Sequence, residues 1–358
     1  MRAALVSGTK VVVVTGAGGV GKTTLSAALA IAVASRTTRT LVMTVDPAKR
    51  LADALDLTSL GGDPVPVIDA PGVWAAMLDA TASWEAIVHR YSEPEIADRL
   101  LVNPYFRALA DRFPAAQSFA AAEAMSIFIE SGSWDRIVID TPPSAGGLDF
   151  YLAPARTADL VGGRLLHWLT GAQLPGRRFL YRFTGRPLLK VADSVLGGPL
   201  LEDVAEFLLD LRTMYDALTA RAHTMQRYLQ QATTLVVTTA DPAPVAEADR
   251  FFEELTETDV KPAAIILNRA LPTAWADAAL LPIPNVPDPA VRAELTKNLV
   301  NWGGEARRQS AAMVGLADRY GVPLIAVPWV PVPLTDAESL IALLDGIDLD
   351  AVIDQRWA

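Results

Sequence analysis

Short apolar segments alternate with longer amphipathic segments along the chain, which predicts a parallel β-sheet flanked by crossover helices. The apolar segments are nearly continuous in Val, Ile and Leu, as in strands buried on both faces. The predicted strands lie at 10–16, 40–45, 72–80, 136–141, 234–240, 262–270 and 323–329. By contrast, the stretches at about 81–131 and 150–230 have a helical pattern. We therefore expect an α/β fold, with one domain over residues 1–358 and a helical subdomain inserted into it.

The first predicted strand leads directly into the glycine-rich stretch GAGGVGKT, and a helical pattern follows at once. This stretch matches the G-x-x-x-x-G-K-[ST] motif of a phosphate-binding loop, in the strand–loop–helix context that the motif requires. Glycines let successive backbone N–H groups face phosphate oxygens, and the helix N-terminus adds partial positive charge. The residues predicted to bind nucleotide in this loop are Gly16, Gly18, Gly19, Val20, Gly21, Lys22, Thr23 and Thr24.

Four side chains are assigned chemical roles. Lys22 is expected to reach the β- and γ-phosphates of ATP, and the Thr23 hydroxyl is expected to bind Mg²⁺. Asp140, at the end of the fourth predicted strand, is expected to hold Mg²⁺ through water. Asp46, at the end of the second, is expected to orient or deprotonate the attacking water, so Lys22 and Asp46 are the predicted catalytic residues. Structural alternatives stay open, namely a helix cap at Asp46 and a turn at Asp140.

Five segments resemble, in the same order, motifs of the ArsA-like ATPases: TGAGGVGKTT, VDPAKRLADAL, IDTPPSAGGLDFYLAP, VVTTADPAPVAEADR and IILNRALP. That family holds the arsenite-pump ATPase and the ATPase that guides tail-anchored membrane proteins, and it is related to the ParA/MinD division ATPases. The resemblance implies a P-loop NTPase of the deviant Walker A type, which dimerises around two ATP molecules. It also implies an acidic nucleotide contact at Asp241, an adenine-reading amide at Asn268 and a base-covering loop near Pro328.

The chain departs from this family pattern in three ways. Ala17 stands where the family carries a second lysine that reaches the other subunit's phosphates, and a trans cation of this kind is worth roughly 10³–10⁵ in rate. DTPPSAG at 140–146 resembles the family's second switch, and Gly146, Gly147 and Asp149 occupy the stretch where family members continue with a histidine and a basic residue. The absence of cysteine argues against an arsenite-pump subunit and a zinc-bridged homodimer.

Because of Ala17, a homodimer of this chain is expected to be slow. We therefore predict pairing with a paralogous ATPase that kept the lysine, so that either a homodimer or a heterodimer remains open. An arginine of this chain is the alternative source of the missing cation. The predicted activity is ATP hydrolysis, coupled to binding of a hydrophobic helix, a membrane-protein client or a membrane-associated partner.

Composition narrows the set of partners. The net charge of -10 argues against non-specific DNA binding, and no specific nucleic acid is expected. No uncharged apolar run reaches about 18 residues, so no transmembrane segment is expected and the protein is interpreted as cytoplasmic. Residues 151–200 carry seven basic and two acidic side chains among apolar ones. This stretch suits a self-packed bundle, a client surface or a peripheral contact with anionic lipid.

Two other functions remain open at this stage. A ParA/MinD-like positioning ATPase would need a basic face or a C-terminal amphipathic helix, and the acidic end LDGIDLDAVIDQRWA gives this alternative little support. A regulatory subunit that binds ATP with little turnover is the second alternative, which Ala17 and the altered second switch keep open.

Overall fold

A computed structural model describes residues 10–34, 39–46, 50–112, 114–142, 149–156, 207–255, 258, 260–278, 286–331, 334, 336–345 and 347. The chain divides into two compact units. The sheet unit comprises Met1–Leu78, Phe128–Leu148 and Gln230–Ala358, and the helical unit comprises Asp79–Ile127 and Asp149–Leu229. Most of the predicted second switch and of the basic stretch at 151–200 lies outside the described residues.

Within the described residues the sheet has eight strands, β1 to β8: Lys10–Gly16, Thr40–Thr44, Val65–Pro66, Val73–Met77, Arg136–Asp140, Thr233–Thr238, Ala264–Ala270 and Leu324–Pro328. Their spatial order is β3-β4-β2-β5-β1-β6-β7-β8. Neighbouring strands pair in parallel, except that β3 pairs antiparallel with β4. All seven predicted strands are present, and the predicted α/β class with a mostly parallel sheet is confirmed.

The helices with both ends described, α1 to α11, are Lys22–Ala34, Arg50–Ala54, Ala80–Tyr91, Pro94–Val102, Pro104–Arg112, Pro114–Glu130, Tyr215–Gln231, Pro242–Leu255, Ala274–Ala278, Pro289–Tyr320 and Ala337–Ala342. Residues 149–156 and 207–213 are also helical. The predicted strand at 72–80 was too long, because the Asp79 carboxylate accepts from the Ala82 N–H and caps α3. No helix in the described part of the chain is long and apolar enough to cross a bilayer.

The sheet core forms because its central strands are apolar on both faces. The side chains of Val11 to Val14 in β1 are at most 1% exposed, and every residue of β2, β5 and β6 is buried. Helix α1 packs against this core, with Leu25 and Leu29 fully enclosed. Since the central strands run parallel, their carboxyl ends lie along one edge of the sheet, which is where open α/β sheets bind ligands.

The helical unit has a buried ion pair at its centre. The Glu123 carboxylate of α6 is 1% exposed and accepts a hydrogen bond from the Arg221 guanidinium of α7. Arg90 of α3 approaches the other oxygen of Glu123 at 3.5 Å. Because a buried charge is costly without a partner, these contacts fix the relative placement of the three helices.

Candidate functional site

The glycine-rich loop after β1 has a backbone that only glycine accommodates at two positions. Gly16 has a φ of 142°, and a Cβ there would lie 2.0 Å from the Val237 carbonyl oxygen. Gly21 has a φ of 95°, and a Cβ there would lie 2.3 Å from the Asn268 Nδ2 atom. The glycines therefore let the loop turn tightly against the ends of β6 and β7 before α1 begins at Lys22.

The side chain of Lys22 folds back into this loop. Lys22 is 6% exposed, and its Nζ donates to the carbonyl oxygens of Gly16 at 2.9 Å and Ala17 at 2.8 Å. Burial lowers the pKa of Lys22, while the negative charges of Asp140 and Asp46 oppose that shift. The ammonium group is thus held at the start of the loop with two carboxylates in its electrostatic neighbourhood.

Asp140 is the buried carboxylate at the end of β5. It is 1% exposed, and its Oδ2 accepts from the Thr23 hydroxyl at 2.8 Å and the Thr44 hydroxyl at 3.0 Å. Burial raises the pKa of Asp140 to about 6, against the lowering effects of these two hydrogen bonds and of the Lys22 charge. Its Oδ1 is buried and has no hydrogen-bond partner. An unsatisfied carboxylate oxygen beside a threonine hydroxyl suits a hard cation such as Mg²⁺.

Asp46 follows β2 on the same edge of the sheet. Its backbone N–H donates to the Thr44 hydroxyl oxygen at 3.2 Å. The same hydroxyl donates to the Asp140 carboxylate, so Thr44 connects the backbone at Asp46 with Asp140. Its carboxylate, 18% exposed, accepts from Arg50 Nη1 at 3.0 Å. The arginine side chain is 63% exposed, so this ion pair constrains Asp46 only weakly. The three residues that follow Asp46 lie outside the described residues.

The three residues assigned to the nucleoside by resemblance lie on the other side of β1. Asp241, after β6, is exposed, and its carboxylate accepts from the Thr239 hydroxyl at 2.8 Å. Asn268 in β7 is 9% exposed, and its Nδ2 donates to the Val20 carbonyl oxygen at 2.7 Å. Pro328 ends β8 on the same edge and pairs in register with Ala270.

The sequence prediction missed two polar residues of this site. Thr44 binds Asp140 from a buried strand, and its polarity two residues before Asp46 was the available signal. Arg269 follows Asn268 and donates from Nη2 to the Gly19 carbonyl oxygen at 3.2 Å. No sequence motif places an arginine side chain against a glycine 250 positions earlier.

The sheet order divides the predicted residues into two groups. Asp46 and Asp140 lie at the carboxyl ends of β2 and β5 on one side of β1. On the other side, β6, β7 and β8 carry at or near their carboxyl ends Asp241, Asn268 and Pro328. Thr23 at the start of α1 joins the first group through its bond to Asp140. The residues predicted to contact phosphate and cation thus lie at β2–β5, and those predicted to contact the base lie at β7–β8, along the edge where open α/β sheets bind ligands.

Comparison with known proteins agrees with this arrangement. The sequence profile of the family described as Anion-transporting ATPase, ArsA_ATPase, matches residues 9–281. ATPase GET3 of Rhodotorula glutinis is 28% identical over 263 residues, which cover 73% of this chain and 70% of the relative. ATPase GET3 of Malassezia globosa is 25% identical, with 72% and 71% covered.

A bacterial protein gives a similar match. A protein of Prosthecochloris vibrioformis, provisionally named as an arsenical pump-driving ATPase, is 23% identical over 271 residues, which cover 73% of this chain and 61% of the relative. The profile match spans most of the chain and contains the phosphate loop, both carboxylates and the β7 residues. The chain therefore belongs to the ArsA family of anion-transporting ATPases, and ATP hydrolysis is its activity.

Proposed function

We propose that this chain is a Mg²⁺-dependent ATPase that works as a dimer and whose nucleotide state controls binding of an apolar client or membrane-associated partner. The observation that carries the proposal is the contrast within the phosphate loop. Lys22, Thr23 and Asp140 are assembled for phosphate and cation binding, while Ala17 is 4% exposed and belongs to the apolar core cluster. One subunit would thus supply a nucleotide-binding site, but its residue 17 carries no cation that could reach a second subunit.

Residues of this chain support the Mg²⁺ assignment. Thr23 and Asp140 would hold the cation, because their oxygens lie together and Asp140 Oδ1 lacks a partner. When bound there, the cation would neutralise negative charge on the substrate phosphates. No group of three or more His, Cys, Asp or Glu side chains is placed to hold a metal ion in the described part of the chain. A threonine–carboxylate pair that shares the cation with substrate phosphates is consistent with that finding.

Ala17 supports pairing with a different subunit. A methyl group packed in the core cannot reach a neighbouring active site, so a dimer of identical chains would lack the trans cation at both sites. A paralogue with lysine at this position would supply that cation to the site of this chain. The expected gain in rate is of the order of an arginine-finger effect, roughly 10³-fold or more.

Exposed apolar side chains on the helical unit support the client assignment. Val102 is 69% exposed, Leu209 53% and Ile127 37%. Contiguous exposed apolar patches mark surfaces that bind other proteins or membranes, and these three residues are the candidates for such a patch on the described part of the helical unit. The family resemblance adds that a member of this family guides tail-anchored membrane proteins, so an apolar helix is the client class we propose.

Steady-state ATPase assays test the pairing. The purified chain alone is expected to turn over slowly, and addition of a lysine-containing paralogue is expected to raise the rate roughly 10³-fold or more, as for a trans cation. A paralogue whose own second-position lysine is changed to alanine serves as the matched control and should give no increase. Full activity of the chain alone would contradict the pairing.

Co-purification tests the client. A 20-residue apolar helical peptide, fused to a soluble carrier, is offered with ATP, with ADP and without nucleotide. Retention that depends on the nucleotide is expected, and a carrier bearing a scrambled polar helix is the control. Failure of the apolar peptide to bind in any of the three conditions would contradict the client assignment. It would not bear on the ATPase activity.

A further inference from the structure

Arg269 has an unusual backbone conformation at the edge of the nucleotide site. Its φ is 58°, in the left-handed region, and among the described non-glycine residues only Asp56 shares a positive φ. The β7–β8 pairing also shifts register between Leu267 and Ala270, which is the irregularity of a β-bulge. Bulges near functional sites re-aim a side chain, and a left-handed non-glycine residue persists where its surroundings hold it.

The side chains of Asn268 and Arg269 bind two successive carbonyls of the phosphate loop. Asn268 Nδ2 donates to Val20 O at 2.7 Å, and Arg269 Nη2 donates to Gly19 O at 3.2 Å. The Arg269 backbone N–H donates to Asn268 Oδ1 at 2.9 Å and thereby fixes which end of the amide faces the loop. The strained turn at the end of β7 therefore aims two donors at one short segment.

Peptide geometry converts these contacts into an effect on phosphate binding. In a trans peptide, the carbonyl of one residue and the N–H of the next point in opposite directions. Holding the Gly19 and Val20 carbonyls outward therefore turns the N–H groups of Val20 and Gly21 toward the inside of the loop, where phosphate oxygens bind. We infer that Asn268 and Arg269 form a brace that sets the phosphate loop in its binding conformation, with Arg269 as a positioning residue.

The same geometry argues against Arg269 as the substitute for the missing lysine. The guanidinium lies on the carbonyl side of the loop, opposite to the N–H groups that face the phosphates. It also extends from β7, whereas Asp46 and Asp140 lie beyond β1 on the other side of the sheet. The brace therefore acts on nucleotide affinity and leaves the rate of the chemical step unchanged.

The decisive variant is Arg269→Gly, because glycine adopts a φ of 58° without strain. Its thermal midpoint is expected to equal or exceed that of the native chain. Its affinity for ATP and for ADP, measured by calorimetry, is expected to fall about tenfold, the lower end for loss of a hydrogen bond from a charged group. The loss of affinity should be the same for ATP and for ADP, since both nucleotides carry a β-phosphate. The rate constant at saturating ATP should stay within about twofold.

Two further variants complete the experiment. Arg269→Lys retains one donor for Gly19 and is expected to recover most of the affinity. Asp56→Gly is the matched control, because Asp56 has a φ of 52° in a turn outside the nucleotide site. It should gain stability in the same way without any change in affinity.

Three results would overturn the brace. They are unchanged nucleotide affinity in Arg269→Gly, an affinity loss that follows a loss of thermal stability, and a fall in rate of roughly 10³-fold or more at unchanged affinity, the signature of a missing trans cation. Each leaves the proposed client function untouched. A native chain that binds no nucleotide at all would contradict both.

Discussion

The phosphate loop has an inner side, toward which its N–H groups point, and an outer side, toward which the Gly19 and Val20 carbonyls point. Different residues surround the two sides. On the inner side, Lys22 and Asp140 are buried, and hydrogen bonds connect them to the loop and to two threonines. On the outer side, Gly18 and Gly19 are exposed, Ala17 contributes only a buried methyl group, and Arg269 braces the loop from its carbonyl face. The groups proposed to bind phosphate and cation all lie within one chain, whereas Ala17 supplies no cation to a second subunit. We therefore expect nucleotide affinity to depend on this chain alone, and the rate of ATP hydrolysis to depend on the subunit with which it pairs.

The largest effect is expected from Asp46→Asn. If Asp46 orients or deprotonates the attacking water, its loss should lower the single-turnover rate by roughly 10²–10⁴, while ATP affinity changes little. Asp53→Asn, an exposed carboxylate on α2, is the control for a change of charge nearby. Unchanged turnover in Asp46→Asn would remove the proposed role and leave the carboxylate as the partner of Arg50.

Lys22→Ala is the next largest change and acts on binding. The variant loses an ammonium donor for phosphate, and ATP affinity is expected to fall roughly 100-fold, as for two charge-assisted hydrogen bonds. Isothermal titration measures this directly. Lys297→Ala, on the exposed part of α10, should leave affinity unchanged. Retained affinity in Lys22→Ala would contradict the idea that the inner side of the loop binds the phosphates.

The pH dependence of Mg²⁺ binding sharpens the comparison further. Because the pKa of Asp140 is raised to about 6, its carboxyl group must lose a proton to bind a cation below that pH. Mg²⁺ affinity in the presence of ADP should therefore be flat above pH 6 and fall about tenfold per pH unit below it. Asp140→Asn should weaken Mg²⁺ binding and abolish this slope. A native affinity that is independent of pH between 5 and 7 would contradict the assignment of Asp140.

Thr44→Val should produce the smallest of these effects. The variant loses one hydrogen bond that favours the charged form of Asp140, so the pKa of Asp140 rises and Mg²⁺ affinity falls by about 3- to 10-fold. The midpoint of the pH profile of Mg²⁺ affinity should also move to higher pH, because the pKa of Asp140 rises. Thr40→Val, at the other end of β2, is the matched buried control and should leave both quantities unchanged. Identical profiles for the two variants would show that Thr44 has no influence on the carboxylate.

The prediction from sequence worked where the signal is local. Apolar runs predicted all seven main strands, and the glycine-rich motif lies between β1 and α1 as expected. Strand β3 was missed because it has two residues, one of them Pro66, and lies at the sheet edge. The roles assigned to the site residues all remain predictions, namely those of the loop residues, Lys22, Thr23, Asp46, Asp140, Asp241, Asn268 and Pro328.

The sequence alone determined the strand–loop–helix unit, the acidic residues that end two strands and the absence of a cation at Ala17, because each depends on neighbouring residues in the chain. Only the tertiary structure decided that Thr44 and Thr23 converge on Asp140, and that Asn268 and Arg269 bind loop residues about 250 positions away. Strand order and register fix such contacts, and the packing of the whole sheet sets both. These long-range contacts therefore cannot be predicted from a local pattern of residues.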